Sequence, residues 1–259
     1  KPYPPDDIWI FGFQLGNIFM QENDYEAIAK EYLLLLEYKP QSLPQITANL
    51  SGLFAKDSVK LIKSVEEEWT KLYKTQNHNP YFAQFGLWLY TQNGKYEKAF
   101  SMAKNIDKTF EEGSGAGVLD FAENMNDANA LSVAEQAYEY VMNKGKEAAF
   151  YQRALLGYTS VLYKKFMRTV SDKKALARLT QSFELIFSEY GYNRDNFTTI
   201  LQAAEIMAFY DDKALFHITK DIQETSIAIC NLKLLIDYDN TIRNSPQKHI
   251  DLALSLFAI

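Results

Sequence analysis

Three stretches of this 259-residue chain lie in phase with one another, and that internal period limits its fold more than any other feature. In the first, Leu15-Gly16 and Phe19 precede a turn at Asn23-Asp24-Tyr25, and Ile28, Tyr32, Leu35 and Pro40 follow it. In the second, Gly86-Leu87 and Tyr90 precede Asn93-Gly94-Lys95-Tyr96, with Ala99, Ala103 and Ile106 beyond. In the third, Phe121-Ala122 and Met125 precede Asn126-Asp127-Ala128-Asn129, with Ala134, Tyr138 and Val141 beyond. Gly16 and Ile28, Leu87 and Ala99, and Ala122 and Ala134 are each 12 residues apart, and the stretches follow one another at steps of 71 and 35 residues. The shorter step is one repeat, and the longer is about two. It leaves room for a divergent pair between Ser42 and Gln76, where two further apolar stripes occur. A period near 34 residues predicts a stack of helix pairs.

The local pattern is helical. Apolar residues recur every three or four positions, as in Val59, Ile62, Val65, Trp69 and Leu72, with Lys60, Lys63, Glu66, Glu67 and Lys71 on the other side. Only 7 prolines and 11 glycines occur, mostly between such segments, and strand-like alternation is missing at comparable length. Small side chains at Gly16, Ala99, Ala122 and Ala134 let two antiparallel helices approach closely. Large ones at Phe19, Tyr32 and Tyr90 are expected to fill the space between successive pairs. No single pair can bury its apolar face alone, so stacking is compulsory.

These positions resemble the tetratricopeptide (TPR) motif, although Leu87 replaces the usual glycine and a proline closes only the first copy. The resemblance covers Trp9 to Glu147. It implies an all-α, right-handed superhelix, an α-α solenoid of TPR-like helix-turn-helix repeats. Residues 1–147 are expected to hold about four helix pairs, one of them divergent. Residues 148–259 are expected to continue the array in divergent form through Tyr151–Val170, Ala175–Tyr190, Asn196–Tyr210 and Lys213–Ile229. Asp127, Ser171, Asp172 and Asn196 stand where helix starts need side-chain caps, and Gly145 and Gly191 where helices end. The segments Lys95 to Phe100, Ala137 to Tyr140, Lys144 to Glu147 and Ala208 to Tyr210 look like exported TPR proteins of the Bacteroidetes. That likeness would imply a larger parent protein in the periplasm or at the outer membrane. The start at Lys1 and the apolar run from Leu252 to Ile259 are likewise expected of a piece whose export signal would already be missing.

In TPR arrays the first helix of each pair lines the concave face. The resemblance therefore places contact residues at Phe13, Asn17, Met20 and Gln21 from the first copy, and at Tyr81, Gln84, Trp88, Thr91 and Gln92 from the second. Trp88 is either a binding anchor among amides or a ring packed on a neighbouring helix. TPR domains that grip a C-terminal carboxylate place cations beside the groove asparagine. Asn17 is present, but Phe13, Gln84 and Trp88 stand where those cations would be wanted. The expected function is a non-catalytic scaffold for a peptide or protein. The alternatives are a glycan-binding helical surface protein, suggested by 17 Tyr, 17 Phe and 3 Trp, and an all-helical enzyme.

Other classes fare worse. The net charge is -6, and Lys164, Lys165 and Arg168 alternate with apolar residues without forming a block that could track a phosphate backbone, so nucleic acid is not an expected partner. No apolar run reaches the length of a bilayer crossing. Cys230 is alone, flanked by apolar residues as a core thiol would be, and His78, His217 and His249 are scattered without zinc spacing, so no metal or cofactor is expected. Gly113 to Gly117 lacks the lysine and hydroxyl of a phosphate loop and reads as a turn between repeats. Asp237 to Asn240 fails as a calcium loop, with Ile242 and Lys248 at the positions of glycine and glutamate. Glu66 to Glu68 reads as a solvated helix face.

Overall fold

In the computed structural model, which describes residues 8–210 apart from 57, 170, 171, 192 and 194, each of the three in-phase stretches is a helical hairpin. The helices are α1 (Ile8–Glu22), α2 (Tyr25–Tyr38), α3 (Leu43–Phe54), α4 (Ser58–Gln76), α5 (Pro80–Gln92), α6 (Tyr96–Phe110), α7 (Ala116–Asp127), α8 (Leu131–Met142), α9 (Tyr151–Phe166), α10 (Lys173–Tyr190) and α11 (Phe197–Tyr210). No strand occurs among the described residues, and the fold is all-α.

The hairpin turns explain why the phase is strict. Asn23, Gly94 and Asn129 all adopt left-handed backbone, at φ of 58°, 66° and 62°. In each case the next amide reaches back across the turn: Asp24 donates to the Phe19 carbonyl, Lys95 to Tyr90 and Ala130 to Met125, all at 2.9 Å. Asparagine and glycine are the residues for which this conformation costs least, and the back-bond satisfies a carbonyl that the helix end would otherwise leave orphaned. Asp24 also caps α2, its Oδ1 accepting the Ala27 amide at 3.0 Å. The other two hairpins have no such cap, because Lys95 and Ala130 stand in that place.

Close approach follows from the small residues. A methyl at Gly16 would lie 2.5 Å from the Tyr32 ring and one at Gly12 2.6 Å from Leu35, so α1 and α2 meet through two notches one turn apart. Tyr32 therefore fills space within its hairpin, not between pairs, with its ring 5.8 Å from Phe13 and its phenol pushed up to about 12 by burial. Ile28, Ala99, Ala122 and Ala134 are fully buried, while Leu87 is half-buried.

The divergent pair, α3 and α4, departs from the pattern. α4 packs chiefly along α2, and only secondarily on α3 and α5. From α4, Trp69 drives into a notch at Gly86 of α5, stacks on Tyr73, meets Tyr90 edge-on and donates its indole N–H to the Phe82 carbonyl at 3.0 Å. Ile62, Val65 and Trp69 are buried as the stripe predicts, but Val59 is 79% exposed, since the stripe meets the core only from its second turn onward. Glu66 is no solvated residue either. It accepts from Asn93 (3.0 Å) and Lys95 (2.5 Å) in the α5–α6 turn and so ties the second hairpin to the third.

The chain divides into two compact units, residues 1–150 and 151–259. The first holds α1 to α8 as successive hairpins, the arrangement of an α-α solenoid. In the described part of the second, α9 and α10 pair and α11 packs on both. Leu155, Val161, Phe166, Phe183, Ile186 and Ile206 supply its core, and Tyr163 donates a hydrogen bond to Glu205 across α9 and α11. Asp172 caps α10 by accepting from Lys174 and Ala175, and Gly191 ends it at φ 63°. Asp127 is the last residue of α7 instead of a cap, and Asn196 turns its side chain back to the 191–193 loop, accepting from Asn193 and donating to Gly191. Ser171, His217, Cys230, the Asp237–Asn240 segment, His249 and the expected helix at 213–229 lie outside the described residues.

Candidate functional site

Within the first unit α6 packs against both α5 and α7. A groove of about 540 Å³ lies between them. Gln84, Leu87, Trp88, Thr91 and Gln92 form its α5 wall. The opposite wall is Asp120, Phe121, Asn124, Met125 and Ala128 of α7. Tyr96, Ala103 and Ile106 of α6 supply the floor, and Glu111 and Gly117 close one end. Both walls are first helices of successive hairpins, and their 3.6-residue period turns one polar-edged stripe of each toward the gap.

Four expected contact residues, Gln84, Trp88, Thr91 and Gln92, come together in this groove. Trp88 does two things at once: it stacks on Phe54 of α3 (5.6 Å between centroids, 16° between planes), touches Phe85, and remains half-buried at the groove wall. Tyr81 is exposed but stands outside the lining. Phe13, Asn17, Met20 and Gln21 lie on α1, apart from the groove. There Phe13 and Met20 lean on the core, Asn17 donates to the Phe13 carbonyl of its own helix (3.1 Å), and Gln21 is exposed.

Sequence reasoning passed over a buried polar cluster that follows Ile106 of the groove floor on α6. Asp107 is wholly buried, and its carboxylate accepts from the Gly115 amide (2.5 Å), the Tyr140 hydroxyl (2.8 Å) and Lys144 Nζ (2.7 Å), which also donates to the Gly113 carbonyl (2.7 Å). Burial alone would raise the Asp107 pKa, but the hydrogen bonds from Lys144, the Gly115 amide and Tyr140 hold it below the ordinary carboxylate value. Burial likewise opposes the charge of Lys144, and the contact with Asp107 overcomes it and raises its pKa. The Gly113 to Gly117 turn is thus clamped between α6 and α8. Gly115 adopts φ 84°, where an added methyl would also meet Lys144 at 2.8 Å. A signal was present: Asp107 falls four residues after Ala103 in an otherwise apolar stripe, and an acid placed there needs a buried partner.

Beside this clamp Glu111 Oε2 accepts the Gly117 amide (3.2 Å) in the first turn of α7, where the helix dipole favours a carboxylate. Among the described residues no cluster of three or more His, Cys, Asp or Glu could hold a metal, and no helix is long and apolar enough to cross a membrane. His78 is exposed.

Fold and groove together define an all-α protein of stacked helical hairpins. No family model matches the chain, and no curated protein is significantly similar to it in sequence. A solved structure described as the functional characterization of Pseudomonas aeruginosa PilF is similar across 96% of this chain and 98% of that one, at 17% identity and a TM-score of 0.37. Likeness of that degree carries neither function nor detail of fold from one chain to the other.

Proposed function

We propose that the chain is a non-catalytic protein-interaction scaffold that receives a peptide or protein segment in the groove between α5 and α7. The observation that carries this reading is the groove's composition. Half-buried Leu87, Trp88 and Tyr96 offer apolar area, and Gln84, Gln92 and Asn124 offer amide donors and acceptors along the same walls. Such pairing of apolar anchors with a polar rim suits an extended or helical peptide. The groove carries no basic side chain that would favour nucleic acid among its described residues. Residues 148–259 are read as a divergent continuation of the same helical repeats, supported by the α9–α10 pair. A periplasmic or outer-membrane location is supported by the resemblance of Lys95 to Phe100 and its companion segments alone.

A photo-crosslinking residue placed at Thr91 in the full chain, exposed to extract of the source organism, tests the proposal. Discrete protein adducts are expected from Thr91, and none from a control at exposed Lys63 on α4. Equal adducts from both positions, or none from either, would count against it.

A further inference from the structure

We infer that the segment received by the α5–α7 groove carries a lysine or arginine next to an apolar side chain. This inference rests on the scaffold reading above and goes beyond it by fixing the chemistry of the partner.

Charge is the first argument. Among the described residues lining the groove are two carboxylates, Glu111 and Asp120, and no lysine, arginine or histidine. Four lysines of the α5–α6 turn, α6 and the end of α8 are engaged elsewhere, while Lys108 is exposed and outside the groove lining. Lys95 and Lys98 reach Glu66 (2.5 and 3.8 Å), Lys104 lies 4.3 Å from the Phe100 ring centre, and Lys144 is held by Asp107 (2.7 Å). The groove lining therefore carries net negative charge, and a partner that buries an acid there meets repulsion and gains no counter-charge from it.

Placement is the second argument. Asp120 is exposed and immediately precedes Phe121 on the α7 wall, while Glu111 is fixed at the closed end by the Gly117 amide. A methyl at Gly117 would lie 2.9 Å from either Glu111 oxygen, so that glycine is what lets the carboxylate lie against α7. A partner side chain that runs its alkyl stem over half-buried Leu87, Trp88 and Tyr96 brings a terminal cation to carboxylates at the edge. Lysine and arginine have that shape, an apolar stem with a charged head. An aromatic wall adds attraction for the same cation. The arrangement is the opposite of a carboxylate grip, which needs cations in the groove.

The test uses the full chain and a random dodecapeptide library displayed on phage, with the enriched peptides then synthesised and their affinities measured. Two variants accompany it. Gln84→Trp/Asn124→Trp fills the groove without changing its charge, and Asp120→Lys reverses one carboxylate; circular dichroism confirms that both remain helical. The expected result is enrichment of peptides with Lys or Arg beside an apolar residue, binding abolished by the filled groove and weakened about tenfold by Asp120→Lys at low salt, with that difference shrinking at about 0.5 M salt. Neutral or acidic peptides whose binding the filled groove abolishes would overturn this inference and leave the scaffold reading standing. Peptides indifferent to the filled groove, or no enrichment at all, would overturn both.

Discussion

At Gly86 one hydrogen in place of a methyl decides whether α4 and α5 can sit where they do, because the Trp69 ring would lie 2.2 Å from the added carbon. The ring cannot retreat easily, being stacked on Tyr73 and bonded to the Phe82 carbonyl. Gly86→Ala is expected to destabilise the protein by about 1–3 kcal/mol through overpacking, read as a lowered urea midpoint. Gly52 in α3 is the contrasting case, since nothing lies within 4 Å of the methyl it would gain and its backbone is ordinary helix. Gly52→Ala is expected to raise stability by about 0.4–1 kcal/mol by restricting the unfolded chain, and the same titration checks it. Sequence alone identified Gly16 as a point of close approach but neither Gly12 nor Gly86. That Gly16 faces Tyr32 follows from the hairpin, whereas Gly86 facing Trp69 depends on how a divergent pair docks, which no spacing encodes.

At the scale of elements, the α6–α7 turn is held by a buried ion pair and the backbone bonds around it. The side chains of Asp107 and Lys144 are 0% and 19% exposed, so removing one partner strands the other. Lys144→Met is expected to cost about 3–5 kcal/mol by leaving a buried carboxylate uncompensated, and Asp107→Asn/Lys144→Met to cost less than Lys144→Met alone. Thermal melts of the single and double variants decide it. The pH response has two limbs. Asp107 titrates below the ordinary carboxylate value, so the stability it adds is complete above that value and is lost as pH falls through its lowered pKa. Lys144 titrates above the ordinary lysine value, so its share is complete below that value and is lost as pH rises through its raised pKa. Asp107→Asn should therefore flatten the acid limb of the stability profile, below the ordinary carboxylate value, measured by denaturant titration at each pH. Hairpin existence was legible because asparagine or glycine stands at the left-handed position of the three in-phase hairpin turns, Asn23, Gly94 and Asn129. The clamp was not, because Lys144 lies 37 residues from Asp107 and only the folded α6–α8 packing brings them together.

On the scale of the molecule, the first unit closes its core within residues 1–150. Ile28, Leu36, Leu50, Val65, Trp69, Phe82 and Leu89 form one buried cluster across α2 to α5. A fragment of residues 1–150 is therefore expected to keep a helical circular dichroism spectrum and a cooperative melt, and a non-cooperative melt would show that the core needs more of the chain. The period announced this half of the fold at once. It gave no such account of the groove, for which only the α5 wall could be named: the α7 wall emerges when the third and fourth hairpins stack with α6 between them. The α1 positions assigned by the same rule lie outside it, since a motif specifies which helix faces inward but not where neighbouring inward faces leave a gap.

The Trp69 ring seated at Gly86 also bears on how such an array can change. Interchangeable modules could be duplicated, deleted or reordered freely, whereas this seam is a keyed joint whose tongue belongs to one hairpin and whose slot belongs to the next. A copy of α5–α6 inserted elsewhere would arrive with an empty slot, and loss of α3–α4 would leave that slot unfilled, so the order of these two hairpins is set by carpentry at the joint between them.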